Sequence, residues 1–274
     1  MTFESPGAPA LDYQPCRYER SRLLFRGPRQ NLYGDFLAVL GGTETYGRFV
    51  AEPFPALLER RLHRTVVNFG CMNAGVDVFV NEPWLIEACR RARATVVQVV
   101  GAHNMTNRFY AVHPRRNDRF LRASAIMRSM FRDVDFAEYN FTRHMLSDLK
   151  SRAPERFTLI ENELRTAWVA RMRQLLARIG GRTVLLLLAE HLPRPSRSDT
   201  LGRPPLLVDD AMVAEVAGPG TEIVRVAATQ AARDAGTAGM VFSELDLPAA
   251  MEMPGPAVHA EIADALGPVL ARYL

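Results

Sequence analysis

Five short runs that are almost continuously apolar alternate with longer segments of helical periodicity, and no other feature limits the fold so tightly. The runs cover residues 36–40, 65–69, 95–100, 183–189 and 222–227. The first three end in glycine, at Gly41-Gly42, Gly70 and Gly101. Between them, residues 53–62 place Phe54, Leu57, Leu58 and Leu62 at helical spacing. Residues 81–92 carry Pro83 in a first turn, where its missing N–H is harmless. A long helix is predicted over 154–179, stopped by Gly180-Gly181, with others over 209–217 and 256–273. Strands that are apolar on both faces and joined by helices form a parallel sheet covered on both sides. The prediction is an α/β fold, a three-layer α/β/α sandwich around a central parallel sheet of about five strands.

Two stretches stand outside this rhythm. Residues 102–150 are rich in Arg, Asn, His, Phe and Tyr and read as an inserted cap of short helices and loops on top of the sheet. Residues 191–205 read as a loop, with Pro193, Pro195, Pro204 and Pro205. Residues 1–30 read as an N-terminal arm and 31–274 as one domain carrying the cap.

Composition excludes several classes. At 48% hydrophobic and 23% charged, with 18 Gly and 18 Pro, the chain is neither disordered nor collagenous. Cys16, Cys71 and Cys89 give no disulfide framework and no zinc spacing, which points to a reducing compartment. Residues 1–14 hold acids and prolines instead of a signal-peptide apolar region, and no apolar run approaches a membrane span of roughly 18 residues. The expected location is the cytoplasm, with no membrane insertion. Of 34 basic residues only Lys150 is a lysine. The 30 acids nearly balance them, leaving +4, so the totals imply no nucleic-acid partner. No metal site or cofactor is implied, and assembly into a homo-oligomer is left open.

In open α/β sheets ligands bind beyond the carboxyl ends of the strands. Those ends are residues 41–47, 70–75, 101–107 and Glu190 onward. The first reads Gly41-Gly42-Thr43-Glu44-Thr45-Tyr46-Gly47, a Gly-bracketed turn without the lysine of a phosphate loop. Thr43 there is either a nucleophile or the cap of the following helix. Glu44 is either an acid beside it or a carboxylate favoured by a helix start. His103, Asn104 and Asn107 follow the third strand, where amides orient an oxyanion or a sugar, or simply make turns. Cys71 reads as a small buried hydrophobe more than as a reactive thiol. Trp84 and Trp168 lie on predicted helices and read as packing residues.

These blocks, in this order, resemble the SGNH (GDSL) hydrolase family. The segment from Gly41 to Gly47 is similar to its G-D-S-x-T-x-G block, with Gly42 on the Asp and Thr43 on the nucleophilic Ser. Asn68-Phe69-Gly70 is similar to its N-x-G block, and Gly101-Ala102-His103-Asn104 to its G-x-N-D block. Pro256-Ala257-Val258-His259 stands where the family has D-x-x-H before its last helix, whose apolar face here carries Ile262, Ala263 and Leu266. The resemblance runs from Phe36 to about Leu270 and implies a flavodoxin-like sheet order. It implies Thr43 as nucleophile, His259 as general base, and an oxyanion hole from N–H groups near Gly42 and Thr43 with Gly75 and Asn104. Thr43, Gly42, the pair His103-Asn104 and Pro256 depart from the family residues at four catalytic positions. Glu252 and Asp246 are the nearby carboxylates for orienting His259, which otherwise reads as a histidine on a surface helix.

Within residues 102–150, Arg115, Arg116, Arg119 and Arg122 are dense even for this chain. If helical, Arg115, Arg119 and Arg122 share one face. They read as a clamp for an anionic group, or as a solvated face paired with Asp118, Asp133 and Asp135. Phe109, Tyr110, Phe120, Phe131, Phe136, Tyr139 and Phe141 read as a satellite core. The leading expectation is an SGNH-like esterase or acyl-transferring enzyme acting on a polar, carbohydrate-type or anionic ester. Two alternatives stand beside it: an SGNH-fold binding protein without catalysis, and a transferase whose cap arginines hold an activated donor.

Overall fold

The structure, a computed structural model, describes residues 11–189 and 200–274. The expected loop over 191–205 therefore lies largely outside the described residues, as does Glu190. Five parallel strands form the central sheet: β1 (Phe36–Gly41), β2 (Thr65–Gly70), β3 (Ala94–Gln98), β6 (Thr183–Ala189) and β7 (Thr221–Ala227), in the order β2-β1-β3-β6-β7. Each agrees with a predicted run to within two residues.

Alternate residues of these strands feed two separate cores, as the two-residue period of a strand requires. Phe36, Ala38, Leu40, Val67, Phe69, Val97, Leu185 and Leu187 face one cluster. That side is covered by α3 (Val76–Val80), α4 (Pro83–Arg91), α7 (Pro154–Ile179) and α8 (Asp210–Val216). Leu37, Val39, Val66, Val96, Val184, Leu186 and Leu188 face the other, covered by α2 (Phe54–Leu62), α9 (Gln230–Asp234) and α11 (Pro256–Ala271). The long α7 buries Phe157, Ile160, Leu164, Trp168, Met172, Leu175 and Ile179, one stripe at helical spacing. Trp168 packs there with Nε1 donating to the Val100 carbonyl at 2.8 Å.

Residues 102–150 correct one expectation. They contain an antiparallel hairpin, β4 (Tyr110–His113) and β5 (Arg116–Ala123), before α5 (Ala125–Met130), a 3-10 turn (Phe136–Glu138) and α6 (Thr142–Arg152). Arg115, Arg119 and Arg122 therefore share no helix face. The physical reason is that Tyr110, Val112, Phe120 and Ala123 bury the inner side of the hairpin, while the arginines occupy its outer side and turn. Phe109, Tyr110, Phe120, Phe131 and Tyr139 belong to the main cluster under the sheet, not to a satellite.

Residues 11–30 pack on the same body. Cys16 and Phe25 pair their backbones in an antiparallel bridge. Tyr18 stacks on Trp84 with centroids 5.4 Å apart, and Phe25 meets Phe69 at 5.1 Å. Among the described residues no helix is long and apolar enough to cross a membrane.

Candidate functional site

The carboxyl ends of β1, β2 and β3 meet at the point where the strand order reverses, and a single turn of helix, α1 (Thr43–Tyr46), is seated there. Gln98, the last residue of β3, holds it. Gln98 Oε1 accepts from the N–H of Gly42 (3.0 Å), the N–H of Thr45 (3.3 Å) and the Thr45 hydroxyl (2.6 Å), and Gln98 Nε2 donates to Glu44 at 2.9 Å. From the other side, Asn68 Nδ2 donates to the Thr45 carbonyl at 2.8 Å. Gly70 follows because a Cβ there would lie 2.4 Å from the Tyr46 nitrogen. Gly42, Asn68 and Gly70 thus place a helix start tightly between three strand ends.

Thr43 stands on that turn, 7% exposed. Its hydroxyl donates to Asn73 Oδ1 at 3.2 Å and accepts from the Asn73 N–H at 2.9 Å. Asn73, which holds a left-handed φ of 56°, passes the connection on. Its Nδ2 donates to Asp118 at 3.2 Å, and its carbonyl accepts from Asn104 Nδ2 at 3.3 Å. Asn104 Oδ1 in turn accepts from the Thr142 hydroxyl at 2.6 Å. Thr43, Glu44, Asn73, His103, Asn104 and Arg143 line a crevice of about 160 Å³ above the sheet. The sequence expectations for Thr43, Glu44, Gly42, His103 and Asn104 thus converge on one place.

His259 does not converge with them. It is 1% exposed on α11, its Nδ1 accepts from the Phe54 N–H at 3.1 Å, and its ring stacks on Phe54. It caps α2 on the far core cluster and lines neither the crevice nor the cleft described below. Its two suggested carboxylates are engaged elsewhere. Asp246 accepts from Arg48 at 3.3 Å and from the Ser243 hydroxyl at 2.8 Å, and Glu252 faces Arg143 at 3.8 Å. The residue preceding α11 that does reach the crevice is Met253, which carries no proton to transfer.

The expected oxyanion donors are also engaged. The Gly42 N–H goes to Gln98, and the Gly75 N–H goes to Asn117 Oδ1 at 3.2 Å. Gly75 is glycine because the Asn104 backbone crosses there, its oxygen only 1.5 Å from where a Cβ would sit. Asn107 makes a turn, accepting from the N–H groups of Phe109 (2.9 Å) and Tyr110 (3.2 Å).

Beside the crevice, with Asn73 in the shared wall, lies a cleft of about 890 Å³. Arg17 and Arg22 from the N-terminal segment, Arg48 after α1, and Arg115 and Arg116 at the hairpin turn all line it. The Arg17 guanidinium braces the Arg22 carbonyl at 2.9 Å, and His113 Nδ1 accepts from the N–H groups of Arg115 (3.3 Å) and Arg116 (3.2 Å). Arg48 pairs with Asp246. Arg17, Arg22, Arg115 and Arg116 have no carboxylate partner among the described residues. The acids expected to pair with the hairpin are occupied. Asp133 faces Arg156 at 3.7 Å, Asp135 accepts from the Ala137 N–H at 2.9 Å, and Asp118 holds Asn73. Arg119 departs from the expected clamp: its guanidinium lies over the Phe141 ring at 4.3 Å and lines neither space. Cys71 forms part of the cleft wall, and burial pushes its thiol up to about 12, which makes it inert at neutral pH.

Sequence reasoning missed Gln98, Asn73, Asn117 and the arginines of the N-terminal segment. Gln98 had a visible signal, the one amide in the apolar run from Thr95 to Val100. A buried side chain of that polarity needs partners, and the start of a helix supplies them. Arg17 and Arg22 had none, because sequence distance hides what the bridge between Cys16 and Phe25 brings near the hairpin.

No curated protein matches the chain. A family model described as a domain of unknown function, DUF6473, matches residues 1–274, and the chain belongs to that family.

Proposed function

We propose that this chain binds an anionic small molecule in the arginine cleft, on an SGNH-like scaffold whose nucleophile position serves structure. The order of the five strands, the 2-1-3-4-5 pattern of flavodoxin-like sheets, supports the scaffold reading, with residues 102–150 as its cap. One observation carries the functional reading: Arg17, Arg22, Arg115 and Arg116 line one cleft without a carboxylate partner among the described residues. Other arginines of the chain hold carboxylates, as Arg93 does Asp35 at 2.8 Å and Arg171 does Asp77 at 2.9 Å, and those without one among the described residues, such as Arg91 and Arg122, do not line this cleft. Like charges held together repel, and a bound anion removes that cost while filling the guanidinium donors. The three cysteines are free, in keeping with a reducing, cytoplasmic setting.

The leading expectation from sequence, an SGNH-like esterase or acyl-transferring enzyme, becomes the second reading. Its support is that His103 and Glu44 line the same crevice as Thr43. His103 replaces His259 as the base in that reading. It requires the Thr43 hydroxyl to leave Asn73, since a nucleophile must hand its proton to a base.

Calorimetric titration with inorganic pyrophosphate, paired with intact-mass analysis after a fluorophosphonate probe, separates the two. The binding reading expects saturable, salt-sensitive pyrophosphate binding, weakened at least tenfold by joint Arg115→Ala and Arg116→Ala replacement, and no adduct on Thr43. An adduct that disappears in Thr43→Ala would establish the hydrolase. Absence of pyrophosphate binding would sink the anion site.

A further inference from the structure

We infer that the ligand of the arginine cleft is a nucleoside diphosphate. The inference rests on the anion-binding reading and adds the body of the ligand to its charge. The cleft volume of about 890 Å³ suits an organic molecule far larger than a lone phosphate. Its unpaired guanidinium groups come from two segments, Arg17 and Arg22 on one and Arg115 and Arg116 on the other. Cationic groups from separate segments suit a ligand with more than one phosphoryl group, because each guanidinium fork engages a pair of phosphate oxygens.

The remaining lining describes the rest of the ligand. Leu24 and Met72 also face the cleft and stay exposed, at 52% and 47%, with Phe242 partly exposed beside them. An inorganic anion leaves that apolar surface wet, and a fatty acyl chain leaves the arginines unmatched. A nucleobase satisfies both, covering the apolar wall with its face and accepting cation–π contact from a guanidinium. Asp118, which holds Asn73, and Asp246, which holds Arg48 and Ser243, fit the same ligand through the lone pairs those bonds leave open. A carboxylate repels phosphate, but it accepts hydrogen bonds from ribose hydroxyls or base N–H groups. The site is held in place before any ligand arrives. Tyr18 and Phe25 anchor the N-terminal segment in the core, and Glu82 accepts from the Arg22 N–H at 3.4 Å.

The test titrates the intact protein with ADP, UDP, adenosine, uridine and inorganic pyrophosphate. ADP or UDP is expected to bind at least tenfold more tightly than pyrophosphate and than its own nucleoside. Leu24→Glu, at an exposed position, is expected to erase the advantage over pyrophosphate. Arg22→Ala and the joint Arg115→Ala and Arg116→Ala replacement are expected to weaken all diphosphates alike. Circular dichroism confirms the fold of each variant. Pyrophosphate binding with no gain from the nucleoside would overturn this inference and leave the anion site standing. Binding of neither would overturn both. Nucleotide binding unchanged in every variant would place the nucleotide elsewhere and overturn the assignment to this cleft.

Discussion

The strand-end crevice and the arginine cleft share Asn73 and differ in almost everything else. In the crevice, Thr43, Asn73, Asn104 and Thr142 are joined in one hydrogen-bonded chain, and Gln98 holds Gly42, Glu44 and Thr45, all at ordinary length. In the cleft, four guanidinium groups have no carboxylate among the described residues. A buried polar group costs free energy unless it is partnered, so the closed network is what a helix start wedged between strand ends needs simply to fold. An unpaired cluster of like charges adds nothing to folding. On the proposed reading the motif-like residues serve as scaffold, and the residues without a motif are the better candidates for recognition.

The sharpest way to break this contrast is at Gly75. A Cβ there collides with the Asn104 backbone, which no side-chain rotation relieves. Gly75→Ala is expected to destabilise the protein by about 3 kcal/mol or more, the upper end for an overpacked site, measured by urea unfolding. A cost below about 1 kcal/mol would mean that the segment from 101 to 107 is loosely held and the crevice adaptable.

Gln98→Leu comes next. It strands the N–H groups of Gly42 and Thr45 and removes the donor from Glu44. An unsatisfied buried group costs about 1–3 kcal/mol, and a loss of about 3 kcal/mol is expected for the set. Pyrophosphate binding by the folded fraction is expected to stay at the wild-type level, because Gln98 lines the crevice and not the cleft. A tenfold loss of binding with little loss of stability would reverse the assignment of the two regions.

The fold was largely legible because strand length, helical spacing and Gly or Pro at the ends all agreed, as in Pro154–Ile179, whose boundaries match the prediction. The hairpin was not, because the buried residues of β5, Asn117, Phe120 and Ala123, stand three apart in a ladder with register shifts, so no two-residue alternation marks the strand. The helix Val76–Val80 was hidden too, since Val-Asp-Val-Phe-Val carries no helical period. His259 was half legible. It stands three, four and seven residues before Ile262, Ala263 and Leu266, so it belongs to their buried stripe. Spacing alone thus pointed it into the core and away from Thr43. The site was least legible where it depends on distant segments, as between Arg22 and Arg115.

The arginines give the opposite pattern to Gln98. Joint replacement of Arg115 and Arg116 by alanine is expected to change unfolding stability by less than about 0.5 kcal/mol, since both are exposed and neither holds an ion pair among the described residues. The same variant is expected to lose at least tenfold in pyrophosphate affinity. A large loss of stability would show that the pair serves the hairpin turn instead of a ligand.

The smallest effect concerns the cleft wall itself. Cys71 faces the cleft yet is 7% exposed, and burial pushes its thiol up to about 12. Cys89, in the core, is raised to about 12 by the same cause. In the unfolded chain a thiol loses its proton near about 8.5. Between those values the native state binds more protons than the unfolded state, so the stability is fully present below about 8.5 and declines as pH rises toward the native value. Replacing Cys71 with alanine is expected to flatten part of that decline between pH 8 and pH 10, read as a smaller shift of the urea midpoint. Iodoacetamide, which needs the thiolate, is expected to label Cys71 at pH 8 far more slowly in native protein than in urea. Fast native labelling would mean that water and charge reach this wall. The cleft would then be polar throughout, and the division between a packed wall and an arginine wall would fall.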